Sequence, residues 1–149
     1  MEKIHILQDF DAPIHNVFAF ISNHNRWNEI FPAAYLRRVI NSPDPKNING
    51  VGSTRIVATF PFPFFETITQ YQEDKYLEYK ISSPSILKNH IGKMNFIALS
   101  DRKCRLDYTI EFDGVIPFSS FIIRNILEKE VGNGIRDLAL KFKRNPNYY

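Results

Sequence analysis

The segment that decides the fold is SSFIIRNILEKEVGNGIRDLALKFK, from Ser119 to Lys143. Its length and composition predict one helix of about seven turns. Pro117 stands just before it, and Ser119 or Ser120 is expected to cap its first free backbone N–H groups. The second half places apolar residues at the spacing of a single helical face, which predicts that this face is buried: Val131, Ile135, Leu138 and Phe142.

The first half of this helix presents a different apolar face. Phe118, Ile122 and Ile126 form a stripe that is turned far around from the later one, at about 100° per residue. Gly132 and Gly134 lie between the halves, and a glycine inside a helix costs about 1 kcal/mol relative to alanine. We therefore expect the helix to be stabilised by what it covers, and to bend near the glycines.

The bulk composition fits one globular domain spanning residues 1–149. The chain has 13 Phe and 7 Tyr, and aromatic residues make up 14% of it. Aromatic side chains are common in β-strands, so this content indicates a β-rich protein. It also fits a cavity lined with rings, and composition does not separate the two interpretations.

Several classes of protein are not expected from the composition. The net charge is +3, and the Lys and Arg residues are scattered, so we expect no nucleic-acid partner. A lone cysteine, Cys104, allows neither an internal disulfide nor a cysteine metal site. There is no signal-like apolar region at the start and no run of about 18 apolar residues, so neither secretion nor stable membrane insertion is expected. The predicted location is the cytoplasm.

The order of predicted elements is β-α-α-β6-α. A first strand, Lys3–Phe10, leads into a helix that Asp11 is expected to cap, and a second short helix covers Arg26–Phe31. Six strands at hairpin spacing follow: Tyr35–Ile40, Gly52–Phe60, Phe65–Glu73, Tyr76–Ser82, His90–Leu99 and Cys104–Phe112. The aromatic run from Pro61 to Phe65 fits either a tight hairpin or a tip that touches a membrane.

No catalytic or metal-binding motif is recognisable. The chain lacks a phosphate loop, a zinc-protease helix and paired cysteines, and its four histidines have no metal-like spacing. Catalytic residues are therefore unknown, and no metal or cofactor is expected. What stands out is a set of polar residues on faces that otherwise look apolar: Arg55, Glu66, Gln70, Tyr79, His90, Tyr108 and Asn125.

These polar residues have two possible roles. A charge buried without a partner costs several kcal/mol. One interpretation is that Arg55 and Glu66, on successive strands, neutralise each other and hold the sheet. The alternative is that the set holds the polar end of a ligand in an apolar cavity, as small-molecule sites commonly do. Trp27 likewise fits either a core plug or a ligand clamp.

A succession of short motifs resembles the START-like superfamily (SRPBCC), in its polyketide cyclase/dehydrase-like branch. The order of these motifs carries the resemblance over nearly the whole chain: Ala12-Pro13 before Val17-Phe18 and Phe20-Ile21, Trp27-Asn-Glu, Gly50-Val-Gly52-x-x-Arg55, Glu66-x-Ile68, Leu77-x-Tyr79-x-Ile81, His90-x-Gly92 and Tyr108-x-Ile110-x-Phe112. The resemblance implies an α+β helix-grip fold, in which a curved antiparallel sheet surrounds the long C-terminal helix over a hydrophobic cavity.

By this resemblance, one group of side chains should face the cavity or its mouth: Trp27, Arg55, Glu66, Tyr79, His90 and Tyr108. From the terminal helix we add Asn125, Val131 and Ile135 as expected ligand contacts.

The resemblance and the polar set together leave three functional hypotheses. The first is binding or carriage of a hydrophobic small molecule such as a lipid, sterol or polyketide. The second is a cyclase, dehydratase or hydrolase, with Glu66 as base, His90 as acid or base, Tyr79 or Tyr108 as donors and Arg55 as an anion clamp. It requires Glu66 and His90 to reach the same cavity. The third is an interaction module. The oligomeric state stays open.

Overall fold

The computed structural model describes residues 1–149 and contains seven strands, two α-helices and one short 3-10 helix. In chain order these elements are β1 (Glu2–Phe10), α1 (Ile14–Ser22), the 3-10 helix (His24–Glu29), β2 (Tyr35–Ile40), β3 (Thr54–Ala58), β4 (Phe64–Gln72), β5 (Tyr76–Ile81), β6 (Leu87–Ser100), β7 (Lys103–Gly114) and α2 (Ser119–Arg144). The predicted order of elements is confirmed.

All seven strands form one antiparallel sheet in the order β1-β7-β6-β5-β4-β3-β2. Strands β2 to β7 are neighbours in sequence and in space, as hairpin spacing predicts. Strand β1 joins the far edge by pairing with β7, where Ile4 lies opposite Ile110. The curved sheet and the long C-terminal helix confirm the helix-grip fold.

The core lies between the concave face of the sheet and the second half of α2. Strand β7 alternates strictly, and its inward side chains are almost fully buried: Leu106, Tyr108, Ile110 and Phe112. Helix α2 covers them with the face that its spacing predicts: Val131, Ile135, Leu138 and Phe142. Burying a side chain of this kind contributes about 2 kcal/mol, so this contact can hold a helix that contains two glycines.

Gly134 explains how closely α2 approaches the rest of the chain. A Cβ atom at this position would lie 1.7 Å from the backbone oxygen of Ile30, which follows the 3-10 helix. Only glycine leaves room for that approach. A Cβ at Gly132 would meet nothing within 4 Å. The two glycines, alike in sequence, therefore occupy opposite environments.

The predicted helix caps are wrong. The residue that precedes α2 is Phe118, which has a left-handed backbone (φ 65°) and makes no capping hydrogen bond. The hydroxyl of Ser119 donates instead to the backbone oxygen of Ile116, at 2.6 Å. Helix α1 begins after Pro13, also without a side-chain cap, so Asp11 is not its capping residue. In both cases a turn before the helix sets the direction of the chain.

Strand β4 does not keep one face throughout its length. Its pairing with β5 shifts between Ile68 and Gln70, as at a β-bulge. Gln70 is exposed as a result, and Tyr71 packs edge-on against Phe18 with ring centroids 5.3 Å apart. The expected inward position of Gln70 is wrong because the extra residue exchanges the two faces of the strand.

Candidate ligand cavity

A cavity of about 50 Å³ lies between the sheet and α2, under the middle of the helix. Eleven of its 14 lining residues are hydrophobic. The lining consists of Trp27, Phe31, Leu36, Arg55, Val57, Phe64, Glu66, Tyr79, Leu87, His90, Tyr108, Ile110, Leu127 and Val131. An apolar wall with a few convergent polar groups is typical of small-molecule sites.

The centre of the polar cluster is an ion pair between Arg55 and Glu66. The two residues are directly opposite each other on β3 and β4. Oxygen Oε2 of Glu66 accepts from Nε of Arg55 at 2.7 Å and lies 2.6 Å from its Nη2. Burial lowers the pKa of Arg55, but the Glu66 carboxylate and the nearby phenols of Tyr79 and Tyr108 together raise that pKa above its usual value. The predicted mutual neutralisation is present.

His90 is held beside this pair by a bulge in β6. The pairing of β6 with β7 shifts between Lys88 and Ile91, and Asn89 has a left-handed backbone (φ 51°), which Asn tolerates. Leu87 and His90 both point inward with two exposed residues between them. The Nε2 atom of His90 lies 3.9 Å from Oε1 of Glu66, which is too long for a hydrogen bond.

The His90 ring is incompletely bonded, and its surroundings favour the neutral form. Burial lowers the pKa of His90 below its ordinary value, and the nearby guanidinium of Arg55 acts in the same direction, against the opposing carboxylate of Glu66. Its Nδ1 atom is buried and has no hydrogen-bond partner. Most buried polar atoms in folded proteins have a partner, so an unpaired nitrogen in a cavity wall indicates a position where a ligand or water could bind.

Two tyrosines and a tryptophan complete the cluster. The hydroxyls of Tyr79 and Tyr108 are hydrogen-bonded to each other, and burial raises the pKa of both phenols, so both are neutral. The guanidinium of Arg55 lies over the ring of Trp27 at 4.3 Å and over that of Tyr79 at 4.9 Å. The indole Nε1 of Trp27 donates to the backbone oxygen of Ile21 at 2.7 Å. Both rings therefore contact the cation and help to hold it in place.

Gly92 provides the room for the ring of Tyr79. The two residues face each other across β5 and β6. A Cβ atom at Gly92 would lie 2.2 Å from the ring carbon Cε1. The short motif His90-x-Gly92 therefore places an imidazole in the cavity and leaves space for the neighbouring phenol.

One side of the cavity adjoins a larger apolar hollow of about 200 Å³. Four residues line both spaces and form the wall between them: Phe31, Phe64, Leu87 and Leu127. Large apolar side chains around this hollow and on the adjoining loop before α2 are mostly exposed: Phe60, Phe62, Ile116, Phe118, Phe121, Ile122 and Ile126. We call this side the open end.

The opposite side is closed. Behind Trp27 the free space falls to about 10 Å³, among residues of α1, β4 and β5. His24 is buried there, and its Nε2 lies 2.8 Å from the hydroxyl of Ser53. Burial, with the cations Arg55 and Arg38 nearby, lowers the pKa of His24 to about 3. We call this side the closed end.

The structure brings most of the expected site residues to one cavity. Trp27, Arg55, Glu66, Tyr79, His90, Tyr108 and Val131 all line it. Asn125 and Ile135 do not. Asn125 is exposed and its side-chain oxygen accepts from Arg124 at 3.1 Å, because the first half of α2 turns Ile123 and Leu127 inward instead. Ile135 is fully buried in the core beyond the lining.

The remaining lining residues were not expected from the sequence: Phe31, Leu36, Phe64, Leu87, Ile110 and Leu127 among them. Some signals were present. Val57 lies two residues after Arg55 on the same face of β3, and Ile110 lies two after Tyr108. Leu127 precedes Val131 by one helical turn. Leu87 was hidden by the bulge in β6, which breaks the alternation that would have revealed it.

A surface cluster has the composition of a metal site. Single ligand atoms from His15, Glu73 and Asp74 lie within 4.8 Å of one another. The Nδ1 atom of His15 lies 3.2 Å from each carboxylate oxygen of Asp74, so the histidine already has a partner. The cluster is largely exposed and none of its residues lines the cavity.

None of the helices combines the length and apolar character needed to cross a lipid bilayer.

Comparison with known proteins places residues 1–145 in the family model described as polyketide cyclase / dehydrase and lipid transport. No curated protein matches in sequence. Similar solved structures include a START superfamily protein from Mycobacterium smegmatis (TM-score 0.71, 9% identity, covering 91% of this chain and 98% of that one). XoxI from Bacillus cereus has a TM-score of 0.71 at 13% identity, with 96% of both chains covered. Norcoclaurine synthase from Thalictrum flavum, solved with dopamine and hydroxybenzaldehyde, has a TM-score of 0.66 at 13% identity, covering 94% and 87%. These structures share the fold.

Proposed function

We propose that this chain, which belongs to the polyketide cyclase / dehydrase and lipid transport family, binds a hydrophobic small molecule beneath α2. The observation that carries the proposal is the imidazole of His90, which lines a largely apolar cavity beside a neutralised ion pair and has no hydrogen bond to the protein at either Nδ1 or Nε2. An unpaired buried polar group costs about 1–3 kcal/mol. Two histidines, His24 and His90, have such an Nδ1 atom, and only His90 lines this cavity.

The sizes of the two spaces indicate how a ligand would lie. A space of about 50 Å³ accommodates only a few ligand atoms, so it suits a polar head group. The adjoining hollow of about 200 Å³ is lined by ten hydrophobic residues out of 11 and suits an apolar chain. Each buried CH₂ contributes about 0.8 kcal/mol before the costs of association, so a chain of several carbons is enough for measurable affinity.

Binding can be tested with the neutral fluorescent compound N-phenyl-1-naphthylamine and with native mass spectrometry of the freshly purified protein. We expect saturable fluorescence enhancement and a bound apolar species. Leu127→Trp adds a large ring at the wall between the two spaces and should weaken binding about tenfold or more. The matched control is Leu140→Trp on the same helix, where Leu140 is exposed and lines no cavity, and its affinity should be unchanged.

Two results would overturn the proposal. One is the absence of saturable binding together with the absence of any co-purified ligand. The other is an equal effect of the two tryptophan substitutions, because binding would then not depend on the space beneath α2.

A second candidate function is catalysis on such a ligand, because Glu66 and His90 reach the same cavity, 3.9 Å apart. The proximity fits a general acid–base pair. Arg55 is less suited to clamp an anion, since its Nε and Nη2 groups already contact Glu66.

A 3-hydroxydecanoyl thioester tests dehydratase activity, and p-nitrophenyl decanoate tests hydrolase activity. Conversion that His90→Phe abolishes and His5→Phe retains, His5 being exposed on β1, would support an enzyme. The absence of conversion in a protein that binds both compounds would support a carrier.

We place this function in the cytoplasm as part of the proposal. The one cysteine, Cys104, is buried and unpaired, which fits a reducing compartment.

A further inference from the structure

The charges around the cavity cancel. Among the lining residues, Arg55 and Glu66 form an ion pair, and the remaining titratable groups are one imidazole and two phenols. Burial favours the neutral form of His90, Tyr79 and Tyr108. A ligand with a charged head would therefore bring an uncompensated charge into a buried space, which is strongly unfavourable.

Some polar groups of the cavity already have hydrogen-bond partners, and others do not. Oxygen Oε2 of Glu66 is taken by Arg55, and the indole N–H of Trp27 is taken by the backbone of α1. The hydroxyls of Tyr79 and Tyr108 bond to each other. One O–H group of this tyrosine pair is therefore still free to donate. Two further groups, which lie next to each other, are also available: Oε1 of Glu66, which only accepts, and the ring of His90, which as a neutral imidazole has one donor and one acceptor.

We propose that the polar end of the ligand is a neutral hydroxyl group, as in an alcohol or a phenol, positioned between Oε1 of Glu66 and Nε2 of His90, which lie 3.9 Å apart. This inference rests on the proposed binding function and specifies its ligand class. A hydroxyl donates one hydrogen bond and accepts others, so it can donate to Glu66 and accept from the N–H of His90 at the same time.

Other head groups satisfy this site less well. A carboxylate only accepts, and it would lie next to the carboxylate of Glu66. An ammonium only donates, and it would lie next to the guanidinium of Arg55. An ether accepts from His90 but leaves Oε1 of Glu66 without a donor. Each of the three therefore leaves either a repulsion or an unpaired acceptor.

The test uses four compounds with similar chains in competition with N-phenyl-1-naphthylamine: 1-decanol, methyl nonyl ether, decanoate and decylammonium. At about pH 8 the last two carry full charges. For the unmodified protein we expect 1-decanol to bind about tenfold or more tighter than decanoate and decylammonium, with the ether in between.

Two variants test whether Glu66 and His90 cause this order of affinities. Glu66→Gln leaves Arg55 without its counterion, so decanoate should gain about tenfold or more relative to 1-decanol. Glu111→Gln, on β7 outside the cavity and paired with surface lysines, is the matched control and should keep the original order. His90→Leu keeps the cavity neutral, so the alcohol should lose its advantage over the ether while decanoate stays weak.

The outcomes separate this inference from the binding function. Decanoate or decylammonium binding as tightly as 1-decanol to the unmodified protein would overturn the neutral-hydroxyl inference and leave ligand binding intact. Failure of the fluorescent compound and of all four competitors to bind would overturn both. If Glu66→Gln does not fold, the affinities of the four compounds for the unmodified protein and for His90→Leu still test the neutral-hydroxyl inference.

Discussion

The two ends of the space beneath α2 are built from the same helix but have opposite properties. At the closed end the second half of α2 packs on the sheet and, through Phe142 against Phe20, on α1. Only about 10 Å³ of free space is left there behind Trp27, and α2 does not line it. At the open end the first half of α2 borders a hollow of about 200 Å³. Phe121, Ile122 and Ile126 on this half are each more than half exposed.

This difference between the two ends indicates that the closed end stabilises the fold and that the open end is available to a ligand. Buried apolar area at the closed end accounts for the attachment of α2. Large apolar side chains left in water at the open end contribute little to that attachment. Exposed apolar side chains next to an apolar hollow are typical of a route by which apolar ligands enter. We therefore expect substitutions at the closed end to change stability and substitutions at the open end to change binding.

The largest expected effect is the removal of an aromatic ring at the closed end. Phe142 is fully buried, and its ring meets those of Phe10 and Phe20 edge-on at 5.9 and 6.0 Å. Phe142→Ala should lower the free energy of unfolding by about 4 kcal/mol, because it removes buried area and leaves a cavity. Phe121→Ala, an aromatic residue of the same helix at the open end, should change it by no more than about 0.5 kcal/mol.

Equilibrium unfolding in urea, followed by circular dichroism, measures both values. If the two substitutions destabilise the protein equally, the distinction between the ends is wrong.

The next effect is a pH dependence that originates at the closed end. Burial lowers the pKa of His24 to about 3, from an ordinary value of about 6.5 in the unfolded chain. Below pH 6.5 the unfolded chain therefore binds a proton that the folded chain does not, and stability falls as the pH decreases. Between about pH 6.5 and 4.5 we expect a loss of about 2–3 kcal/mol. The pKa of His90 is shifted in the same direction and adds to this loss.

Denaturation curves at several pH values in this range, compared between variants, isolate the His24 contribution. His24→Gln, whose amide can still reach the hydroxyl of Ser53, should flatten the dependence. His5→Gln, on the exposed side of β1, should leave it as it is. An unchanged slope in His24→Gln would show that His24 is not buried in its neutral form.

Two glycines of α2, two residues apart and therefore on different sides of the helix, provide a closely matched comparison of backbone packing. A Cβ at Gly134 would overlap the backbone of Ile30, so Gly134→Ala should cost about 2 kcal/mol or more, even after the gain in helix propensity. A Cβ at Gly132 has free space, so Gly132→Ala should raise the free energy of unfolding by about 1 kcal/mol. Urea unfolding measures the change in the free energy of unfolding for each variant. Changes of the same sign would contradict the close approach of Gly134 to the backbone of Ile30.

The sequence predicts the fold well because its signals are local and repeated. The alternation of Leu106 to Phe112 and the helical spacing of Val131 to Phe142 each persist over several residues, and together they fix which faces are buried. The inward positions of Arg55 and Glu66 follow from the same alternation. The mutual position of those two side chains also follows, since neighbouring strands in a hairpin place them opposite each other.

What the sequence does not reveal depends on single-residue irregularities and on distant contacts. The bulges in β4 and β6 exchange faces, so Gln70 is outside and Leu87 is inside, against a strict alternation. The rotation of the apolar stripe along α2 puts Asn125 in water. The contact between Gly134 and Ile30 joins residues far apart in the chain, and nothing in the local pattern around either one indicates it.

The smallest expected effect is at the open end, and it tests whether Phe118 there lowers the stability of the fold. Phe118 is 93% exposed and has a left-handed backbone at φ 65°, which costs a bulky residue about 1 kcal/mol. Phe118→Gly should therefore raise the free energy of unfolding by about 1 kcal/mol, because glycine adopts this conformation without strain. Phe118→Ala, which removes the ring but keeps the strain, should leave it nearly unchanged.

Urea unfolding combined with N-phenyl-1-naphthylamine binding separates the roles of backbone and ring. If both variants bind the compound more weakly while only the glycine variant is more stable, the exposed ring serves ligand entry at a cost to the fold. If neither variant changes binding, Phe118 has no part in the open end, and the functional side of the comparison rests on the cavity wall at Leu127 alone.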